Sequence, residues 1–78
     1  MYRIKLAIEG HAREFFPAGK DAFDLTLPGP VSIREIIAGL SVSADLIMSV
    51  FVNGQLVDKD SVPPDGAEVI LLSPPAGG

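Results

Sequence analysis

Along residues 2–9 (YRIKLAIE), Ile4, Leu6 and Ile8 fall on one side of an extended chain and Arg3, Lys5 and Glu9 on the other. This period of two predicts a strand with one buried face. Residues 10–22 (GHAREFFPAGKDA) lose the alternation and carry Gly10, Pro17 and Gly19, so they read as a loop closing a hairpin, with Phe15 and Phe16 pinning it to the core. Alternation returns over 23–27, with Phe23, Leu25 and Leu27 inward, until Pro28-Gly29-Pro30 stops it. The period then changes. Ile33, Ile36, Ile37 and Leu40 follow i, i+3, i+4, i+7, one apolar stripe of a helix over 33–40. Ser32 and Glu35 have the capping-box spacing, Val31 and Ile36 the staple positions, and Gly39 weakens the end.

Residues 41–47 (SVSADLI) read either as a loop or as a short turn of helix. A third strand is predicted over 48–53 (MSVFVN), and Asn53-Gly54 is a strong hairpin signal leading to a short return strand at Leu56-Val57. Residues 58–66 (DKDSVPPDG) form a polar loop ending in the turn Pro64-Asp65-Gly66. The last strand, 67–72 (AEVILL), is nearly all apolar, which suits a central strand or one with a core face and a partner face. Helix and sheet in this order allow two layers, with one main helix packed on one face of a mixed sheet of four to five strands. With the first and last strands paired in parallel, the helical segment becomes the crossover. The fold class is then α+β, of the β-grasp or ubiquitin-like kind, with a domain over 1–73 and a tail over 74–78.

Composition narrows the chemistry. A chain of 78 residues, 47% apolar, is one small domain with a core and little room for an enclosed active site. It has no cysteine, so disulfides, thiolate metal sites and cysteine nucleophiles are excluded, and a cytoplasmic setting is mildly favoured. Residues 1–9 lack the pattern of a signal peptide, and no apolar run approaches the ~20 residues of a membrane span. A net charge of −4 argues against binding to a phosphate backbone and is compatible with a basic partner surface.

Catalytic groups are few. His11 is the one histidine, and a lone loop histidine is ordinarily just solvated. The serines lie in no nucleophile motif. Asp58, Asp60 and Asp65 read as solvated loop charge, because the Pro63-Pro64 pair breaks any calcium-loop spacing. No catalytic and no metal-binding residues are expected. What remains is the end of the chain, Pro74-Pro75-Ala76-Gly77-Gly78. Two terminal glycines are commonly a frayed end. They also suit a carrier arm. Without Cβ atoms they pass a narrow channel, and the proline pair makes a stiff, extended base. Residues 74–78 reach at most ~17 Å, at roughly 3.3–3.6 Å per residue. A terminal carboxylate is a poor electrophile and needs activation, for example as an acyl-adenylate.

From Val52 to Gly78 (VNGQLVDKDSVPPDGAEVILLSPPAGG) the chain resembles the MoaD/ThiS family of ubiquitin-like sulfur carriers. The matching features come in the family's order: an N-G-Q-L-V hairpin, a polar loop, D-G-A-E-V leading into the last strand, a proline pair, and terminal Gly-Gly. Ala12-Arg13-Glu14-Phe15 is similar to a segment of many molybdopterin synthase small subunits. The resemblance implies that Gly78 is adenylated by a ubiquitin-activating-type enzyme using ATP and magnesium held on that partner. The glycine is then converted to a thiocarboxylate with sulfur from a donor protein. Gly77 is its required neighbour, and the recipient is a larger synthase subunit of molybdopterin synthesis or another acceptor enzyme. Two departures bear on the partner. Leu72 stands where the family often has an outward aromatic, and Glu9 where synthase subunits can expose one.

The expected partner surface is Leu56, Ile70 and Leu72 on the sheet face away from the helix; the alternative is that the 10–22 loop covers Ile70 and Leu72. Arg13 is a candidate for a partner carboxylate, against the ordinary reading of a solvated arginine. Within the carrier class, thiamin, cysteine or a specialised metabolite are alternative destinations. Outside it, the chain would be a protein modifier joined to lysines or a plain interaction module.

Overall fold

The computed structural model describes residues 1–74. Its strands are β1 (Tyr2–Glu9), β2 (Ala22–Leu27), β3 (Ser49–Val52), β4 (Gln55–Val57) and β5 (Ala67–Leu72), and its helix is α1 (Ile33–Gly39). They form one sheet in the order β2-β1-β5-β3-β4. β1 and β5 run parallel at its centre; every other pairing is antiparallel. This is the α+β, mixed-sheet arrangement expected from the hydrophobic pattern, with α1 in the crossover between β1 and β5, the first and last strands of the chain.

The alternation in β1 and β5 sends Ile4, Leu6, Ile8, Ala67, Val69 and Leu71 to the buried face. There they meet Ile33, Ile36 and Ile37 of α1 and Val50 and Val52 of β3. The helix starts where the sequence places it. Ser32 Oγ accepts the Glu35 N–H at 3.2 Å, and Glu35 Oε1 accepts the Ser32 N–H at 3.4 Å. Loop carbonyls take the next two donors: Ile33 N–H donates to Ser61 O at 2.9 Å and Arg34 N–H to Lys59 O at 2.8 Å. All these would otherwise be orphaned at a helix N-terminus.

Three expectations need correction. The 10–22 segment is not a featureless loop but two 3-10 turns, His11–Phe15 and Pro17–Gly19. Phe16, extended at the joint between them, is buried against Phe23, while Phe15 is 55% exposed. One phenylalanine anchors the segment, not two, because neighbours on so tight a turn cannot face the same way. The third strand is shorter than 48–53: Met48 is exposed at the sheet's end, and Asn53 takes a left-handed φ of 51° to make the turn with Gly54. The helix stops at Gly39, and Ser41 reverses the chain with a φ of 64°. The ambiguous 41–47 stretch contains a 3-10 turn, Ala44–Leu46, capped by the Ser43 hydroxyl.

Candidate functional site

The site is built at the end of the sheet where β1 and β5 finish side by side, with Glu9 opposite Leu72. The ladder does not stop there. Ser73 N–H donates to Glu9 O at 2.8 Å, and His11 N–H donates to Pro74 O at 2.9 Å. Ser73 is the one buried polar residue among those described, 3% exposed. A buried hydroxyl is costly unless bonded, and this one is bonded twice. Its Oγ donates to Glu9 O at 2.9 Å and accepts the Ala12 N–H at 3.0 Å. The close approach requires Gly10. Its φ of 98° and ψ of −169° belong to glycine alone, and a Cβ there would overlap the Ser73 carbonyl.

His11 was expected to be solvated. Instead it is half-buried, with Nδ1 2.8 Å from Pro74 O. A carbonyl can only accept, so Nδ1 carries the proton. The ring meets Phe15 edge-on, with centroids 6.3 Å apart and planes at 85°. Sequence reading missed both Ser73 and His11, because their partners lie more than sixty residues away in the chain. Of the tail residues singled out from the sequence, Pro74 is thus tied to the domain. Pro75, Ala76, Gly77 and Gly78 lie outside the described residues.

The sheet face opposite α1 carries an apolar row. The register aligns Ala22, Ala7, Ile70, Phe51 and Leu56 across all five strands. Leu56 is 66% exposed, and Phe51 and Ile70 are half-buried by their neighbours. Leu72, also half-buried, stands in a later row between Glu9 and Ser49, toward the tail. A polar row, Asp24, Lys5 and Glu68, borders the other side. Val69 and Leu71 point to the core, as expected. The structure brings Leu56 and Ile70 into one row with Leu72 beside it, and adds Phe51, which sequence reading did not single out although period-two alternation with Val50 and Val52 could have found it. The 10–22 segment inserts Ala12 and Phe16 into the core and leaves Ile70 and Leu72 partly exposed.

Arg13 is not part of this row. It sits on the His11–Phe15 turn with its guanidinium 3.9 Å from Asp21, an exposed ion pair of the kind that contributes little. The three loop aspartates each serve their surroundings. Asp58 Oδ1 accepts the Asp60 N–H, Asp60 accepts from Arg34 Nε at 2.9 Å, and Asp65 accepts the Arg3 N–H at 2.7 Å. Asp60 holds the Arg34 guanidinium above its ordinary pKa through that hydrogen bond and its charge. Among the described residues no group of His, Asp and Glu is placed to hold a metal ion, and no helix is long and apolar enough to cross a membrane.

No family model matches the chain, and no curated protein matches it. Solved structures do. The solution structure of Urm1 from Trypanosoma brucei matches with a TM-score of 0.70 and 20% identity, over 99% of this chain and 96% of that one. The crystal structure of SAMP1 from Haloferax volcanii matches with a TM-score of 0.69 and 14% identity, over 97% of this chain and 99% of that one. The fold is the ubiquitin-like β-grasp. In this β-grasp chain the central strand β5 runs on into Ser73 and Pro74, and the apolar row crosses it at Ile70, with Leu72 one row nearer its end.

Proposed function

We propose that the chain is a ubiquitin-like sulfur carrier, with residues 1–73 as handle and 74–78 as arm. The Gly78 carboxylate attacks the α-phosphate of ATP on a ubiquitin-activating-type enzyme, releasing pyrophosphate and forming an acyl-adenylate. A sulfide equivalent from a donor protein then displaces AMP and leaves a thiocarboxylate. Magnesium and ATP belong to the activating enzyme, and the setting is cytoplasmic. The recipient we favour is the larger subunit of a molybdopterin synthase, on the strength of the proline pair and the order of motifs from Val52 to Gly78. The chain itself is not an enzyme in this reading.

One observation carries the proposal. In sequence, four residues separate Gly77-Gly78 from the central strand of a β-grasp domain, and that strand carries Ile70 and Leu72, both partly exposed, on the face away from the helix. The domain offers a surface to hold, and the arm offers an end to activate. The same acyl-adenylate could instead be captured by lysine amines, which would make the chain a modifier.

The test is an intact mass after incubation with ATP, magnesium, a sulfur source and the host's activating enzyme. A gain equal to sulfur replacing oxygen, lost on deleting Gly78, is the expected result. Adducts on lysines would favour the modifier. No mass change, with the enzyme shown to be competent on another carrier, together with partner binding that survives deletion of Gly77-Gly78, would leave an interaction module.

A further inference from the structure

We propose that His11 is a positioning residue that fixes the root of the carrier arm by holding the Pro74 carbonyl; this rests on the carrier reading above. Pro74 has no N–H, so among main-chain groups only its carbonyl can tie it to the domain. That carbonyl receives two donors from one residue, the His11 N–H at 2.9 Å and the His11 Nδ1–H at 2.8 Å. The main-chain bond alone satisfies the needs of the fold, since a carbonyl with one partner is already paired. The imidazole is an additional hold, and it is itself held: Phe15, 55% exposed and outside the core cluster, places its ring edge-on to His11. An exposed aromatic with no core partner is thereby explained as the backstop of the imidazole.

The geometry has a kinetic meaning. Without the hold at Pro74 the arm is rooted at Ser73, which Glu9 and Ala12 fix, and has five residues to its end, about 17–18 Å extended; rooted at Pro74 it has four, about 13–14 Å. Shortening a tether confines its end to a smaller volume and raises its effective concentration at a fixed target. A held Pro74 also sets the direction in which the arm starts. The hold therefore acts after docking, on how often the Gly78 carboxylate meets ATP, and not on how tightly the domain binds.

Two variants separate this from a structural role. His11→Ala removes the side-chain donor, and His11→Asn keeps an N–H donor at the position of Nδ1 without the aromatic ring. Hydrogen exchange at the residue 11 amide reports the clamp without any enzyme. Protection is expected to fall about fivefold in His11→Ala, the factor one net hydrogen bond is worth, and to return to within twofold in His11→Asn. Steady-state adenylation, followed by ATP–pyrophosphate exchange with the activating enzyme that loads the wild-type chain, should show kcat about fivefold lower in His11→Ala. KM should stay within twofold, and kcat should be restored in His11→Asn. An unchanged kcat in a His11→Ala chain that is otherwise loaded, or a rise confined to KM, overturns the positioning role and leaves the carrier reading standing. A wild-type chain that takes no adenylate from a competent enzyme overturns the carrier reading, and the role of His11 with it.

Discussion

At residue scale the structure turns on a contact that no local pattern announces. Gly10 and Ser73 are separated by nearly the whole chain, yet the carbonyl of one strand's continuation fills the space where a Cβ would stand on the other. From the sequence, Gly10 reads as a loop glycine and Ser73 as a strand stop. Their meeting depends on the parallel register of β1 and β5, which alternation cannot supply because it fixes faces and not partners. Gly10→Ala should therefore cost about 3 kcal/mol, at the upper end for a residue forced into a glycine-only conformation. Urea unfolding would show it as a lower midpoint with an unchanged slope; a loss below about 0.5 kcal/mol would mean that the contact yields easily.

At the scale of elements, much was legible. Ser32 and Glu35 announced the helix start because a capping box is a local device, closed within four residues. Asn53-Gly54 announced the β3–β4 turn for the same reason, and both residues do take positive φ. Ser32→Ala should lower stability by about 1 kcal/mol, the usual value of an N-cap, measurable by thermal or denaturant unfolding. The 10–22 segment was not legible as two 3-10 turns, since its form follows from Ala12 and Phe16 being drawn into the core by tertiary contact.

The apolar row was half legible. Strand alternation put Ile70 and Leu72 outward, but only the register joins Ile70 to Phe51 and Leu56. Leu72→Glu places a second carboxylate beside Glu9, which should cost less than about 1 kcal/mol. It should still weaken binding to the activating enzyme at least tenfold, the effect of placing a charge in a desolvated contact. An unchanged affinity in a titration would remove Leu72 from the docking surface.

At the scale of the whole molecule, the order of elements led to the β-grasp on the condition that the first and last strands pair in parallel, because a helical crossover between two such strands leaves few other arrangements. It was not enough to show how the domain ends. His11, which ties Pro74, lies in the connection of the first hairpin, so where the domain ends is a property of the folded chain rather than of its last segment.

The parallel pairing of β1 and β5 also has a mechanical side. The chain enters the sheet at Tyr2 and leaves at Leu72, at opposite ends of two neighbouring strands that point the same way. Tension between the two termini therefore slides the central strands past each other in shear, so that the rungs from Ile4–Ala67 to Glu9–Leu72 bear the load together instead of opening one by one. A pull on the C-terminus should therefore meet the whole central ladder before the domain unravels. Single-molecule stretching would show this as a higher rupture force from the termini than from anchors on β3 and β4, whose short hairpin peels. Equal forces along the two axes would mean that the central ladder offers no such resistance.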